Sequence, residues 1–451
     1  MMVKNKEGIV NEHEGSELIY HWNELAGVPS PARPVLVSDE TLRDGLQSPS
    51  ITHPHIQEKV YLLYLMHEIG VDCADLGLCG AGGRFQQDVM VLAREIARQG
   101  LRMVPQSAAR TLESDILPIV EASQAAGIPI EAALFIGSSP IRQYAEGWDI
   151  SMLLKLTEAS VALAVSHGLP VMFVTEDTTR AHPDALRQLY QTAIRAGAHR
   201  ICAADTVGHA TPEGVRALIR FLRGVVDEVA PNVGIDWHGH RDRGLDIANS
   251  LAAIDAGADR VHACALGVGE RSGNTPMEIL LVNLNLAGLS DRNLTSLPEY
   301  CRVVSEACGV PIPFNYPVVG ADSFRTATGV HAAAVAKAMG KEDIWLADRV
   351  YCGVPASMVG REQGIEIGPM SGEHNVRTWL SKHGIDSHPA FIEKILAAAK
   401  RSDRILSEEE IQRMIRVMRL RLGMGQTMVT DSDLELLMPA APAHPGPGVR
   451  R

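Results

Sequence analysis

Positive charge is scarce in this chain. Against 54 Asp and Glu its 451 residues include 42 Lys and Arg, a formal charge of −12. Non-specific nucleic-acid binding depends on surplus cations that neutralise phosphates, so that class is excluded. Paired cysteines are also missing. The seven present (Cys73, Cys79, Cys202, Cys264, Cys301, Cys308 and Cys352) are scattered, odd in number and without a CxxC spacing, which fits neither a disulfide framework nor a zinc ribbon. Reduced thiols and a cytoplasmic location are expected. No apolar run approaches the roughly 20 residues of a membrane span, and the opening MMVKNKEGIVNEHEG has no secretory apolar stretch. A soluble protein with neither nucleic-acid nor membrane partners is therefore expected. Finally, no GxGxxG follows the first strand-like run, which counts against an open dinucleotide-binding sheet.

What is present is rhythm. Eight short apolar runs alternate with longer stretches of helical period: VLVSD (35–39), VDCADLG (71–77), LRMVPQ (101–106), IEAALFIG (130–137), PVMFVTE (170–176), RICAAD (200–205), VGIDWHGH (233–240) and RVHACALG (260–267). Stretches such as AIRAGA and AIDAGA end a helix on Gly and lead straight into the next run. Eight β-then-α units in about 255 residues have the count and length of a closed (β/α)8 TIM barrel. The α/β expectation is thus an N-terminal arm over 1–33, a catalytic barrel over 34–290, a linker and smaller, mainly helical C-terminal domain over 291–436, and a disordered tail over 437–451.

In such a barrel the chemistry sits at the C-terminal ends of the strands. The first run ends in DETLRDGLQ, where Asp39, Glu40, Arg43 and Asp44 crowd together, and the seventh ends in HGH. His238 and His240, two apart on an extended chain, face the same side. A lone histidine at a strand end is more often a satisfied core residue. Two on one side, opposite an acidic loop, are instead an N/O donor set for a divalent cation with Asp44. Glu176 ends the fifth run and is expected to face the pocket. Asp177, Asp205 and Thr206 are either polar pocket residues or helix caps. GVGERSGN (267–274) joins Gly267 and Gly269 to Glu270, Arg271 and Asn274, a Gly-rich loop placed where barrels often hold phosphate-bearing ligands.

Taken in order, DETLRDGLQ, EDTTR, ADTVGHATP, HGHRDRG, GVGERSGN and the later TGVH resemble the signature of the acyl-CoA-condensing, metal-dependent barrel enzymes. These are the 2-isopropylmalate, homocitrate and citramalate synthases, with 3-hydroxy-3-methylglutaryl-CoA (HMG-CoA) lyase as a more distant relative. The likeness runs from about Val35 to His374. It implies that Asp44, His238 and His240 bind zinc, magnesium or manganese, with Asn274 beside or completing that site. Arg43 would offset charge on an enolate or oxyanion, Gln47 and Thr206 would hold a 2-oxo acid, and Glu176 would move a proton. Gly267, Gly269, Glu270 and Arg271 would contact the co-substrate acetyl-CoA. His331 and Tyr351 would serve a neighbouring barrel in a homodimer.

The implied reaction is Claisen-type condensation followed by thioester hydrolysis, with 2-oxoisovalerate as lead substrate and leucine biosynthesis as context. Leu46, Ala133, Val174 and Arg241 depart from the usual synthase pattern, and RDGLQ is the form seen in the lyase. Those departures leave open other oxo acids, including a dicarboxylic one met by Arg142, and lyase-type C–C cleavage. The short stretch after the helical extension leads us to expect no leucine-responsive regulatory domain.

Overall fold

The computed structural model describes residues 18–20, 22–23 and 34–422. The arm expected over 1–33 lies mostly, and the tail over 437–451 entirely, outside the described residues. Eight parallel strands close into a barrel in sequence order: β1 Leu36–Asp39, β2 Cys73–Leu78, β3 Val104–Arg110, β4 Glu131–Gly137, β5 Val171–Glu176, β6 Arg200–Asp205, β7 Gly234–Gly239 and β8 Arg260–Ala263. Their connecting helices are α1 Ile56–Glu68, α2 Gly83–Gln99, α3 Glu113–Ala126, α4 Pro140–Glu146, α5 Ile150–Ser166, α6 Pro183–Arg195, α7 Pro212–Asp227 and α8 Asp246–Asp255, with α9 Met277–Leu286 and α10 Leu297–Cys308 after β8. No described helix is long and apolar enough to cross a membrane.

The strand period of two divides the buried side chains between two environments. Phe173 on β5 points outward and packs edge-on against Tyr190 of α6, ring centroids 6.2 Å apart. Its neighbours Met172, Val174 and Glu176 point into the barrel mouth. Helix ends follow local chemistry: Pro212 opens α7 behind Thr211, whose hydroxyl accepts the Gly214 N–H at 3.2 Å. Gly100 closes α2 at φ 64°, a left-handed turn that costs glycine little.

Three local expectations shift. The third strand begins at Val104 and runs to Arg110, because Ser107, Ala108 and Ala109, though only weakly apolar, have the small side chains that a crowded interior accepts, with Arg110 exposed at the end. The short α4, absent from the periodicity reading, starts on Ser139-Pro140, the serine hydroxyl accepting the Arg142 N–H at 3.4 Å. Helix α10 packs beside α1, and its Tyr300 hydroxyl bonds to both Asp39 and Thr41 of the β1 end. The compact unit around the barrel accordingly extends through Pro313, beyond the expected boundary at 290.

A second compact unit takes in the described residues 320–422. It contains a parallel pair, β9 Arg325–Thr326 and β10 Gly364–Ile365, with helices α11 Gly329–Met339, α12 Ile344–Arg349, α13 Glu373–Lys382, α14 Pro389–Arg401 and α15 Glu408–Arg421. Val376, Leu380, Phe391, Ile395, Ile411 and Ile415 form its core.

The barrel interior departs from the usual layers of branched apolar side chains. Arg260 on β8 donates to Glu131 at 2.6 Å and to Asp236 at 2.5 Å, and Arg200 donates to the other Asp236 oxygen at 2.7 Å. Burial pushes the Glu131 and Asp236 carboxyls up, but Arg260 beside both overrides it and holds them below the ordinary carboxylate range. A depressed carboxylate contributes stability that is present above its unfolded pKa, near 4, and lost as pH falls below it. Arg260→Leu should therefore cost about 3–5 kcal/mol at pH 7, since it leaves two buried anions short of their partner. In urea melts the acid-side decline expected of the unsubstituted protein below about pH 4 should be shallower in this variant.

Candidate active site

The β1 end turns back through a short 3-10 segment, Gly45–Gln47, which directs Glu40, Arg43 and Asp44 over the mouth of the barrel. Across that mouth β7 delivers His238 and, one step beyond its end, His240. The structure brings together the three residues that the sequence marks for a cation. One Asp44 carboxylate oxygen, Oδ2, lies 3.4 Å from His238 Nε2 and 3.5 Å from His240 Nε2, and all three residues are buried. Metal–ligand bonds of about 2.1 Å at tetrahedral angles separate neighbouring ligand atoms by about 3.4 Å. The spacing is thus that of donors around an ion, longer than a good hydrogen bond. Burial, and then the adjacent His238, push His240 down to about 4, so its ring is neutral and has a lone pair to give.

Asn274 pairs with His240 through an isolated bridge. Its Nδ2 donates to the Val268 carbonyl at 3.0 Å, whereas its Oδ1 is buried without a hydrogen-bond partner. An orphaned buried amide oxygen beside a ligand histidine fits a place in or next to the coordination shell. Carboxylate, two imidazoles and an amide oxygen suit zinc, manganese or a similar borderline cation.

A second trio lies directly beneath. His238 Nδ1 is 2.6 Å from Glu40 Oε2, and His262 Nδ1 is 2.9 Å from Glu40 Oε1. These are hydrogen-bond separations, too short for ligands spaced around an ion. His262 Nε2 also lies 3.0 Å from Asp236, which links this trio to the charged interior. Burial pulls His262 down, yet the flanking Glu40 and Asp236 carboxylates outweigh it and raise it to about 9. Arg43 completes the cluster, donating to Asp75 at 2.8 Å and to Glu40 at 2.9 Å, with Asp44 at 3.7 Å.

Glu40, Arg43, Asp44, Gln47, Glu176, Thr206, His238, His240, His262 and Glu270 are the polar lining of a 260 Å³ cavity. Its remaining wall is apolar: Leu78, Ala108, Ala133, Phe135, Met172, Val174, Cys202 and Ala204. Burial in that wall pushes the Glu176 carboxyl up. The Thr206 hydroxyl accepts the Asp177 N–H at 2.8 Å and keeps its own proton for a ligand.

Other residues marked in the sequence lie elsewhere. Asp205 accepts the His209 and Ala210 amides and the Thr179 hydroxyl, and Asp177 forms a double hydrogen bond with Arg180, so both serve their loops. Arg271 is engaged outside the cavity by Asp242 at 2.8 Å. Gly267 and Gly269 do not line it either. At Gly269 an added Cβ would stand 2.2 Å from Asn274 Nδ2, so what this position provides is room for Asn274. Arg142 pairs with Glu146 at 3.2 Å, half exposed. In the C-terminal unit the rings of His331 and Tyr351 lie 4.2 Å apart on an exposed surface.

The sequence reading gave no role to Glu40, Asp75 or His262. Their signal was available: Asp75, Asp236, Arg260 and His262 are ionisable residues inside otherwise apolar strand runs, where desolvation permits them only with partners.

A closed parallel barrel with this donor set at its C-terminal rim defines a metal-ready barrel enzyme. The HMGL-like family model matches residues 35–304. A homocitrate synthase of Methanopyrus kandleri is 32% identical over 405 residues, covering 89% of this chain and 91% of that protein. A 2-isopropylmalate synthase of Xanthomonas oryzae pv. oryzae is 30% identical over 419 residues, 91% of this chain and 74% of its own. Among solved structures, HMG-CoA lyase from Bacillus subtilis superposes with a TM-score of 0.54 at 19% identity, over 63% of this chain and 97% of the lyase. The lyase of Acinetobacter baumannii, in complex with coenzyme A and 3-methylmalate, gives 0.51 at 22% identity, over 61% and 91%. The chain belongs to the HMGL-like family and is an enzyme of it.

The donor geometry makes a direct prediction. Metal-depleted protein should take up a single zinc or manganese ion in calorimetric titration, and Asp44→Ala or His238→Ala should abolish that uptake while circular dichroism stays that of the folded barrel.

Proposed function

We propose that this enzyme condenses acetyl-CoA with a 2-oxo acid and then hydrolyses the thioester, with 2-oxoisovalerate as lead substrate, 2-isopropylmalate as product and leucine biosynthesis as context. The observation that carries this reading is the division of the cavity into a charged, cation-ready side and an apolar side. A divalent cation held by Asp44, His238 and His240 would polarise the keto carbonyl of the oxo acid and offset the negative charge that develops there. Thr206 and Gln47 offer polar contacts to the oxo-acid carboxylate. Glu176, made more basic by burial, is placed to take a proton from the thioester methyl, and Arg43 faces the negative charge that this creates. A new C–C bond to the keto carbon follows, and water then cleaves the thioester to release coenzyme A.

The apolar wall supports an aliphatic side chain on the oxo acid. A second carboxylate placed there would meet Leu78, Phe135, Met172 and Val174 without a cation to receive it, since Arg43 already faces Glu40, Asp75 and Asp44 and Arg142 does not line the cavity. Two of the departures from the synthase pattern, Ala133 and Val174, are part of this wall. Lyase-type cleavage is the weaker reading, because the two synthase relatives match about nine-tenths of this chain, C-terminal unit included. The relatives' names and the lyase complexed with coenzyme A support acetyl-CoA as co-substrate. The exposed His331–Tyr351 pair supports a homodimer in which these side chains serve a partner's barrel.

Thiol release from acetyl-CoA, followed with a panel of oxo acids, tests the reaction and its selectivity together. kcat/KM for 2-oxoisovalerate should exceed that for 2-oxoglutarate by at least about a hundredfold, the ratio that about 3 kcal/mol of carboxylate desolvation produces. Absence of thiol release with every oxo acid, alongside cleavage of a hydroxyacyl-CoA, would establish the lyase reading instead. Mixing inactive Arg43→Ala with inactive His331→Ala protein under conditions of subunit exchange should restore part of the activity if the sites are shared.

A further inference from the structure

Glu40 and His262 have no assigned part in holding the oxo acid or the cation, yet both line the site and are under 4% exposed. We propose that Glu40 is a positioning residue which, backed by His262, fixes His238 as the tautomer with its proton on Nδ1 and its Nε2 lone pair turned to the cation. The inference rests on the reading of Asp44, His238 and His240 as the cation site.

The hydrogen-bond chain leaves one assignment. His262 lies between two carboxylates, its Nδ1 2.9 Å from Glu40 and its Nε2 3.0 Å from Asp236. Ionised carboxylates only accept, so both ring nitrogens of His262 carry hydrogens. Glu40 Oε1 then accepts from His262 and from Arg43 Nη2, the latter at 2.9 Å. That leaves Oε2, which lies 2.6 Å from His238 Nδ1. Oε2 has no aligned hydrogen-bond partner, but an anionic oxygen 2.6 Å from Nδ1 repels a lone pair there and so favours the proton on that nitrogen. Once Nε2, the nitrogen that faces Asp44, gives its lone pair to a cation the ring is neutral, and its single N–H is the one on Nδ1 beside Glu40.

The far end of the chain cannot drift. Asp236 is held by Arg200 and Arg260 as well as by His262, and none of its neighbours is a surface side chain free to turn away. His240 offers a contrast, because its Nδ1 is buried without a hydrogen-bond partner. Of the two imidazoles in the trio, only His238 has this support. Outer partners of ligand histidines commonly govern metal affinity by about 10- to 100-fold.

The test measures zinc affinity by competition with a chromogenic chelator, using enzyme stripped of metal and refilled. Glu40→Ala and His262→Gln should each weaken binding by about 10- to 100-fold. Arg200→Met, which cuts the network on the far side of Asp236, should lower the melting temperature but leave zinc affinity within about twofold of the unsubstituted enzyme, a range too small for loss of an outer partner. Long-range ¹⁵N–¹H spectra of metal-free, histidine-labelled enzyme should show His238 as a single Nδ1–H tautomer and His240 as a mixture. Unchanged affinity in folded Glu40→Ala, equal losses in Glu40→Ala and Arg200→Met, or a mixed His238 tautomer would each overturn the proposal. The spectra need no variant to fold. An unsubstituted enzyme that takes up no zinc would instead overturn the cation site itself, and this inference with it.

Discussion

The site is organised around one buried carboxylate. Glu40 stands where the strand-1 end, the strand-7 end and strand 8 meet, and it touches Arg43, His238 and His262 at 2.6 to 2.9 Å. Burial raises its carboxyl, but His238, Arg43 and His262 together hold it well below the ordinary range. One of its oxygens accepts from Arg43 and His262, the other lies 2.6 Å from His238 without an aligned hydrogen bond, and the charge draws these three side chains together. Arg43 is thereby aimed across the cavity and His238 is fixed against rotation. The proposed cation ligand His238 and the proposed anion-stabilising Arg43 therefore share a support.

Such an interior is expensive. Moving Asp236, Glu131, Glu40, Arg260 and His262 out of water incurs a desolvation penalty that ion pairing only partly offsets, and apolar layers of equal volume would often be at least as stable. What charge provides and a layer of leucines does not is direction: an arginine donates along fixed lines, and a histidine between two carboxylates cannot rotate. The same network runs on to His199, whose Nε2 lies 3.0 Å from Glu131 at the start of β4, far along the strands from the reactive end. The precision at the mouth is thus built from below, through residues that touch no substrate.

The barrel was legible because each strand run was short, apolar and bounded by helical period, and because eight repeats leave few closed arrangements. Asp44, His238 and His240 were legible because polar residues at strand ends have few structural reasons to gather. Asp205 and Asp177 show the limit of that reasoning. They occupy equivalent strand ends, yet one accepts two loop amides and the other an arginine three residues on, and sequence position alone does not separate a cap from a pocket residue. Gly269 was marked for a ligand and instead gives room to Asn274, a distinction that depends on the loop folding back on itself. Helix α10 was assigned to the wrong unit because its attachment, Tyr300 to Asp39, spans 261 residues of sequence and has no local signature.

The cavity combines these constraints. Its charged side is crowded with carboxylates, since Glu40, Asp44, Glu176 and Glu270 all line it and Asp75 lies behind Arg43, whereas Arg43 is the only permanent cation among the lining residues. An anionic oxo acid entering such a pocket would be repelled unless positive charge were added. A divalent cation held by Asp44 and the two histidines would supply it. The excess of acid around the site is coherent with a metal-dependent enzyme, in which the protein's own charge would hold the ion and the ion's charge would admit the substrate. Under the proposed reaction the apolar wall opposite, built from Ala108, Ala133 and Met172 with Leu78, Phe135 and Val174, would discriminate by side chain, since it offers a second carboxylate no partner.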